Sequence, residues 1–169
     1  MTDCHNYAEI TSFRGLVANI TGFAKNATIS DSEGAADLLS ANNQSNASHK
    51  GGIAAVLGAN STVSGCQAKA SLSTTNPGGA IGTPGGIVGV ALSSLTISNC
   101  SWYGTVSGTV ADGVVFGGIL GTGTSSTTVT SCKFGGKVGS TAVSENNLES
   151  LAIGNGTGTL QSLSYWDGN

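Results

Sequence analysis

Residues 85–107 read GGIVGVALSSLTISNCSWYGTVS, and phrases of this kind recur along the whole chain. The part that begins at Cys100 is an anchor phrase, and its counterparts begin at Cys4, Ser32, Cys66 and Cys132. A small residue lies four positions after every anchor: Ala8, Ala36, Ala70, Gly104 and Gly136. An aliphatic residue lies six positions after it: Ile10, Leu38, Leu72, Val106 and Val138. The chain is therefore built from repeated units.

Two further phrases complete each unit. The glycine-rich phrase GGIVG and its relatives carry a central aliphatic residue: Leu16, Ile53, Ile87, Ile119 and Leu151. A TIS-type phrase precedes each later anchor and carries Ile29, Val63, Ile97 and Val129. All three phrases alternate apolar and polar residues with period two and are separated by turn-forming residues. Each unit thus contributes three short β-strands.

Stacking such units aligns equivalent apolar residues into inward ladders and satisfies the backbone hydrogen bonds between neighbouring coils. We therefore predict a single domain over 1–169: an all-β, right-handed, three-sided parallel β-solenoid (β-helix) of about five coils. Sharp corners are expected at the residue before each anchor, because these residue types tolerate left-handed backbone. Those residues are Asp3, Asp31, Gly65, Asn99 and Ser131.

The spacing between phrases varies, which predicts inserts near 41–50, 74–84, 107–116 and 139–149. Residues 154–169 are expected to form a C-terminal cap, in which Trp166, Leu160 and Leu163 plug the end of the core. The residue after each central aliphatic is also apolar, as in Val88 after Ile87, and we interpret these positions as a seam covered by the inserts.

The phrases GGIVG, GGILG, TISNC and GTV resemble the GLUG-type repeats of bacterial surface proteins, including adhesins and the repeat regions of immunoglobulin A peptidases. The resemblance covers nearly the whole chain. It implies an adhesin-like role outside the cell or at its surface, and it transfers no catalytic residue. Ser32 replaces the anchor Cys, and RGLVA and ESLAI depart from the glycine pattern in the first and last units, as terminal coils would.

Composition narrows the classes of partner. Charged residues make up 9% of the 169 residues and the net charge is −3, so no basic field attracts nucleic acid. No apolar run approaches the length of a membrane span, so membrane insertion is not expected. The start of the chain resembles no signal peptide, and we interpret the sequence as a segment of a longer exported protein.

The cysteines are expected to be buried free thiols, because Cys66, Cys100 and Cys132 fall on one ladder, where all four cysteines cannot pair. Ligands in a line also fail to make a tetrahedral zinc site, and neither His5 nor His49 belongs to a convincing ligand set. No metal and no cofactor are expected. The acceptor motifs for N-glycosylation, such as the one at Asn43, leave their modification open.

Catalysis is not expected. Glu9 and Asp37 occupy equivalent outward positions of neighbouring coils and form the best candidate pair for a polysaccharide-active enzyme. Two like charges at that end of a solenoid more often form a solvated face that discourages edge pairing.

Two surfaces are candidates for binding. The first is a sugar-binding platform of Trp102, Tyr103 and Phe134. The second is a flat face of two hydroxyl ladders that flank the TIS-type aliphatics: Thr28, Ser30, Thr62, Ser64, Thr96, Ser98, Thr128 and Thr130. Flat arrays of this kind occur in ice-binding solenoids, although Thr and Ser also suit any exposed strand.

The favoured hypothesis is a non-enzymatic adhesin-like module that binds a glycan or a surface protein. The first alternative is a structural segment that self-associates by stacking its solenoid ends into a filament. Ice binding through the hydroxyl ladders is the second alternative, and a polysaccharide-active enzyme comes last.

Overall fold

The computed structural model describes residues 1–12, 15–40, 48–76, 84–110 and 116–169. It confirms a nearly all-β chain whose parallel strands stack into a β-solenoid of about four turns, close to the five coils expected. Four sheets run along the solenoid, which we number in the order in which the chain enters them. Sheet 1 has 10 strands, sheet 2 has 3, and sheets 3 and 4 have 5 each.

The first two units supply ten strands. Unit 1 contains β1 (His5–Asn6), β2 (Ile10–Ser12), β3 (Gly15–Ala18), β4 (Thr21–Ala24) and β5 (Thr28–Ser30). Unit 2 contains β6 (Glu33–Gly34), β7 (Leu38–Ser40), β8 (Ser48–Gly51), β9 (Ala54–Leu57) and β10 (Ser61–Ser64).

The later units repeat the pattern with variations. Unit 3 contains β11 (Gln67–Lys69), β12 (Leu72–Asn76), β13 (Pro84–Gly85), β14 (Val88–Ala91) and β15 (Leu95–Ser98). Unit 4 contains β16 (Ser101–Val110), β17 (Leu120–Gly123) and β18 (Thr127–Thr130). Unit 5 contains β19 (Lys133–Val138), β20 (Thr141–Ala142), the helix α1 (Leu148–Ala152), β21 (Ile153–Gly156) and β22 (Thr159–Gln161). The last strand is β23 (Ser164–Tyr165).

Equivalent residues of successive units pair directly across the sheets. In sheet 1, Leu72 pairs with Leu38 on one side and with Val106 on the other. In sheet 4, Val63 pairs with Ile29 and Ile97. The repeat register deduced from the sequence is therefore the register of the sheets.

The predicted inward ladders form the core. Six positions after the anchors, Leu38, Leu72 and Val106 are fully buried, as are Ile29, Val63, Ile97 and Val129 in sheet 4. The anchors Cys66, Cys100 and Cys132 are buried beside them, and Ser32 fills the same position in unit 2. Alternation thus places the residues two and six positions after an anchor on the inner side of sheet 1.

The predicted corners are also confirmed. Every residue before an anchor has positive φ: Asp3 57°, Asp31 51°, Gly65 63°, Asn99 54° and Ser131 53°. Ser162 has φ 53° at the same point of the last coil. Asn and Asp tolerate this left-handed conformation better than most residues, which explains their use here.

The glycine-rich phrase differs from the prediction in one respect. Ile53, Ile87 and Ile119 are buried as expected, but each lies in a bend immediately before a strand of sheet 3. The residues that follow, Ala54, Val88 and Leu120, are fully buried in the same core. The bend lets two consecutive apolar residues enter the core, so the apolar pair does not require an insert to cover it.

Two of the four predicted inserts, 41–50 and 74–84, lie largely outside the described residues, and of the third, 107–110 belong to strand β16 while 111–115 are outside them. The fourth is structured: β20 pairs antiparallel with β19, and α1 follows it. Leu148 and Ala152 of α1 pack into the core. Within 154–169, β21 and β22 continue sheets 3 and 4, while β23 adds a strand beside β19. No helix in the described part of the chain is long and apolar enough to cross a membrane.

Candidate functional site

The predicted platform of Trp102, Tyr103 and Phe134 does not form. Trp102 and Phe134 are both 0% exposed, because each lies two positions after an anchor and points into the core. The Trp102 indole donates a hydrogen bond from Nε1 to the carbonyl of Ala70 at 3.1 Å. Only Tyr103, which points the other way, is at the surface with 37% exposure. The interpretation of Trp102 and Phe134 as sugar-contacting residues was wrong.

The glycine pairs explain how two large rings fit inside a narrow solenoid. A Cβ on Gly86 would collide with the Trp102 indole, and a Cβ on Gly118 would collide with the Phe134 ring. In these two GG phrases, the second glycine therefore makes room for the aromatic ring across the core. These aromatics belong to the packing of the fold.

Tyr103 instead borders a groove on the outer side of sheet 1, with a volume of about 500 Å³. The groove crosses units 2 to 5 and is lined by Asp37, Lys69, Ala70, Ser71, Tyr103, Gly104, Thr105, Gly136 and Lys137. Ala70, Gly104 and Gly136 are the small residues four positions after the anchors. They separate Lys69 and Tyr103 on one side of the groove from Ser71, Thr105 and Lys137 on the other, and a Cβ on Gly104 or Gly136 would collide with the backbone of the neighbouring coil.

The register of sheet 1 brings these side chains together. Lys69 pairs with Tyr103, and Thr105 pairs with Lys137 in the neighbouring strand. Asp37 lies at the unit 2 end of the groove, where its Oδ1 accepts a hydrogen bond from the backbone N–H of Ser71 at 2.7 Å. This bond holds the carboxylate between unit 2 and unit 3. Hydrogen-bonding groups of both kinds thus surround one exposed aromatic ring.

The C-terminal tail forms the wall of the groove beyond Tyr103. Trp166 lies edge-on to Tyr103, with 6.3 Å between ring centroids and 74° between ring planes. It covers Gly135, where a Cβ would collide with the Trp166 carbonyl. Trp166 is only 6% exposed, and its Nε1 donates to the carbonyl of Asn169 at 2.6 Å.

The prediction that Trp166 plugs the end of the core is therefore wrong, because Trp166 packs on the outer side of sheet 1. Leu160 and Leu163 do pack against the core, partly buried. Leu160 continues the aliphatic ladder of sheet 4, since it pairs with Val129.

Three lysines face the same region. Lys69 and Lys133 place their Nζ atoms 5.3 Å and 4.6 Å from the Trp166 ring centroid. Lys137 lines the groove directly. Near Lys133, hydrogen bonds from Asn169 hold the pKa of Asp167 below its usual range, and the Lys133 charge contributes to this shift. Sequence reasoning named Asp37 only as a partner of Glu9 in a candidate catalytic pair and missed these lysines, although their odd-numbered offsets from the anchors already marked them as outward.

The hydroxyl ladders of sheet 4 lie in the predicted register. One ladder runs through Thr28, Thr62, Thr96 and Thr128, and it continues to Thr159. The other runs through Ser30, Ser64, Ser98 and Thr130, and it ends at Gln161. Thr28, Thr96 and Thr159 are exposed, and the other Thr residues of their ladder are half-buried. The array is confirmed as a surface, while its binding role stays a prediction.

The cysteines are free thiols, as expected, and Cys66, Cys100 and Cys132 are buried. Each buried Sγ donates to a carbonyl two residues earlier, at 3.2 to 3.4 Å. Hydrogen bonds with the flanking thiols and burial raise the pKa of the central Cys100 far above its usual range. Cys4 is half-buried at the N-terminal end. Within the described ranges, no group of three or more His, Cys, Asp or Glu side chains could hold a metal ion.

A polar cluster marks the first corner of the solenoid. His5 Nε2 lies 2.9 Å from Asp3 Oδ1, and the Tyr7 hydroxyl donates to Glu33 Oε2 at 2.9 Å. The Asp3 hydrogen bond raises the pKa of the exposed His5. Glu9 and Asp37 do lie at equivalent positions, since Ile10 pairs with Leu38, but their hydrogen-bond partners are separate residues of the scaffold.

A second depression of about 570 Å³ lies at the C-terminal end, beside α1. Glu145 and Glu149 are among the residues that line it, and it contains no aromatic ring and no lysine. We take the groove beside Tyr103 as the candidate site because it alone of the two combines a ring, charges of both signs and hydroxyl groups. Comparison with family models, with curated proteins and with solved structures finds no match to this chain.

Proposed function

We propose that this chain is a non-enzymatic, adhesin-like binding module that works outside the cell and recognises a saccharide through the groove beside Tyr103. The observation that carries the proposal is the exposed Tyr103 ring among polar groups of four successive units. Sugar rings stack their C–H faces on aromatic rings and exchange hydrogen bonds with hydroxyl, carboxylate and ammonium groups. Asp37, Ser71 and Thr105 supply such groups here.

The shape of the groove also supports a chain-like ligand. Each neighbouring coil contributes side chains at about 4.8 Å spacing, so the groove extends along the solenoid axis. A short oligosaccharide could contact several coils at once, and the number of contacts would grow with its length. A protein partner would instead require a larger contact area than this groove offers by itself.

The enzyme alternative receives little support from the groove. Glycoside hydrolysis uses two carboxyl groups on either side of the scissile bond. The groove lining contains one carboxylate, Asp37, and that carboxylate already accepts a backbone hydrogen bond.

The proposal can be tested by titrating the protein with saccharides identified on a glycan array. We expect Tyr103→Ala to weaken binding by at least about tenfold, as removal of a central aromatic contact does. The matched control is Tyr7→Ala, since Tyr7 lies three residues after its anchor like Tyr103 but at the far end of the solenoid. Equal binding by both variants, or no saccharide binding at all, would contradict the proposal.

Ice binding remains a second candidate because the hydroxyl ladders of sheet 4 are in register, one over five ranks and the other over four. Serine side chains lack the methyl group that threonine presents, and Ser30, Ser64 and Ser98 occupy three ranks of the second ladder. The array is therefore less uniform than an ice lattice would require.

A further inference from the structure

The outer side of sheet 1 changes its charge along the solenoid. Units 1 and 2 place Glu9, Glu33 and Asp37 on this side, whereas units 3 and 5 place Lys69, Lys133 and Lys137 there. These lysines are three of the six Lys and Arg residues in a chain of net charge −3. Half of the basic residues therefore gather around one groove, on a protein that is acidic as a whole.

Among the described residues, the three lysines form no ion pair with a carboxylate, although the Lys133 charge contributes to the lowered pKa of Asp167. In the part of the chain that the structure describes, both ion pairs involve His5, and none involves Lys69, Lys133 or Lys137. All three side chains are exposed. Their ammonium groups thus keep their hydrogen-bond donors for solvent or for a ligand.

The Trp166 ring holds two of these ammonium groups in place. Lys69 comes from unit 3 and Lys133 from unit 5, yet both approach the same indole, at 5.3 Å and 4.6 Å from its centroid. Bringing two like charges together costs electrostatic energy, which cation–π contacts with a shared ring partly offset. A bound anion would relieve the remaining repulsion.

We propose that the ligand of the groove is an anionic saccharide, whose carboxylate or sulfate groups contact Lys69, Lys133 and Lys137 while its sugar ring lies on Tyr103. This inference rests on the saccharide-binding function proposed above and adds the charge of the ligand. Asp37 lies at the unit 2 end of the groove and orients the ligand, since it repels the acidic groups and accepts hydrogen bonds from neutral hydroxyls.

The test compares saccharides that differ only in charge. Polygalacturonate is compared with its methyl-esterified form, dextran sulfate with dextran, and sialylated glycans with their desialylated counterparts. We expect the acidic member of a pair to bind at least about tenfold more tightly, with affinity that falls as ionic strength rises from about 0.05 to about 0.5 M. Binding to the sulfated or to the carboxylated member identifies which anion the groove prefers.

Lysine variants test whether these residues cause the preference for acidic saccharides. The double variant Lys69→Gln/Lys137→Gln should weaken binding of the acidic member by about three- to tenfold and flatten its salt dependence. Lys25→Gln is the matched control, because Lys25 is exposed, follows strand β4 of sheet 3 near Gly58 and does not line the groove. It should leave both quantities unchanged.

The outcomes separate the two proposals. Equal binding of charged and neutral members, with loss in Tyr103→Ala, would overturn the anionic ligand and leave the saccharide-binding groove standing. A preference for acidic members that is undiminished in the double lysine variant would overturn the assignment to these lysines. Failure of every saccharide to bind would overturn both proposals.

Discussion

At the scale of single residues, the direction of a side chain decides its role more than its type does. Trp102 and Tyr103 are adjacent aromatics, yet one is fully buried and the other is at the surface. The direction follows from the count of residues after Cys100, whose side chain faces inward. Because successive strand residues point to opposite sides, Trp102 faces the core and Tyr103 faces the groove.

This difference predicts contrasting effects on stability. Trp102→Ala should lower the free energy of unfolding by about 3–5 kcal/mol, because it leaves a large cavity opposite Gly86. Tyr103→Ala should cost about 1 kcal/mol or less, since its ring is partly solvated. Urea denaturation of both variants provides the measurement. Similar losses in the two variants would show that the assigned directions are wrong.

Lys50 predicts a dependence of stability on pH. It is buried in β8, its Nζ donates to the Ser73 carbonyl at 2.6 Å, and burial lowers its pKa from 10.5 to about 8. Between these two values the unfolded chain binds more protons than the folded chain. The contribution of this group to the free energy of unfolding therefore rises with pH across that window and is lost as pH falls through it.

Denaturation curves at several pH values between about 8 and about 10.5 test this, with Lys50→Met beside the parent protein. We expect the stability of the parent to rise relative to that of Lys50→Met across the window. Lys25→Met, at an exposed lysine, should follow the parent. A constant difference between the parent and Lys50→Met would show that Lys50 titrates at its ordinary pKa.

At the scale of elements, the strands could be predicted from the sequence, whereas the bends in the glycine-rich phrases could not. The ladder of Ile29, Val63, Ile97 and Val129 is visible in the sequence because equivalent residues recur in equivalent positions. The bend at Ile87 is less visible, since two adjacent apolar residues fit neither strand alternation nor a loop. The glycine pair Gly85 and Gly86 determines the bend, and its geometry depends on the Trp102 ring, which lies against Gly86 across the core.

The hydroxyl ladders of sheet 4 carry a prediction at this scale. We expect the parent protein to show no thermal hysteresis and no ice shaping, because the second ladder mixes Ser with Thr and ends at Gln161. Thr96→Tyr should leave the fold and any saccharide binding unchanged, since Thr96 is exposed on a different sheet from the groove. Hysteresis that disappears in Thr96→Tyr would make ice binding the leading function.

At the scale of the whole molecule, the two ends of the solenoid differ. The first unit exposes Tyr7, Leu16 and Phe23 at 66%, 43% and 53%, and within the described residues β1 to β4 pair with other strands on one side only, while Thr2 bridges to Ser30 of β5. At the other end, β20 and β23 both pair with β19. Continuous stacking of one copy on the next would have to displace these strands.

We therefore expect the protein to be monomeric in sedimentation experiments over a wide concentration range. Deleting residues 162–169 removes β23 and uncovers Gly135 and Tyr103, so this variant should associate as concentration rises. Trp166→Ala, which keeps the strand, serves as the control and should remain monomeric. Fibres formed by the parent protein would instead support the stacking role of the solenoid ends.

The candidate site depended on contacts that the repeat does not encode. Tyr103 was predicted, but the return of Trp166 over Gly135 occurs once in the chain, so no periodic pattern could reveal it. Lys69 and Lys137 are likewise single substitutions within repeated positions. A repeat identifies what the units share, whereas this groove is built from the positions in which they differ.

Residues 66–99 form one complete unit, from an anchor to the residue before the next anchor. If recombination between the repeats of the gene duplicated this segment, the extra coil would enter every ladder in register and lengthen the groove by about 4.8 Å. The number of repeats in the gene would then set the length of ligand that the groove accommodates. That length could change during evolution by gain or loss of repeats, without any substitution in the existing coils.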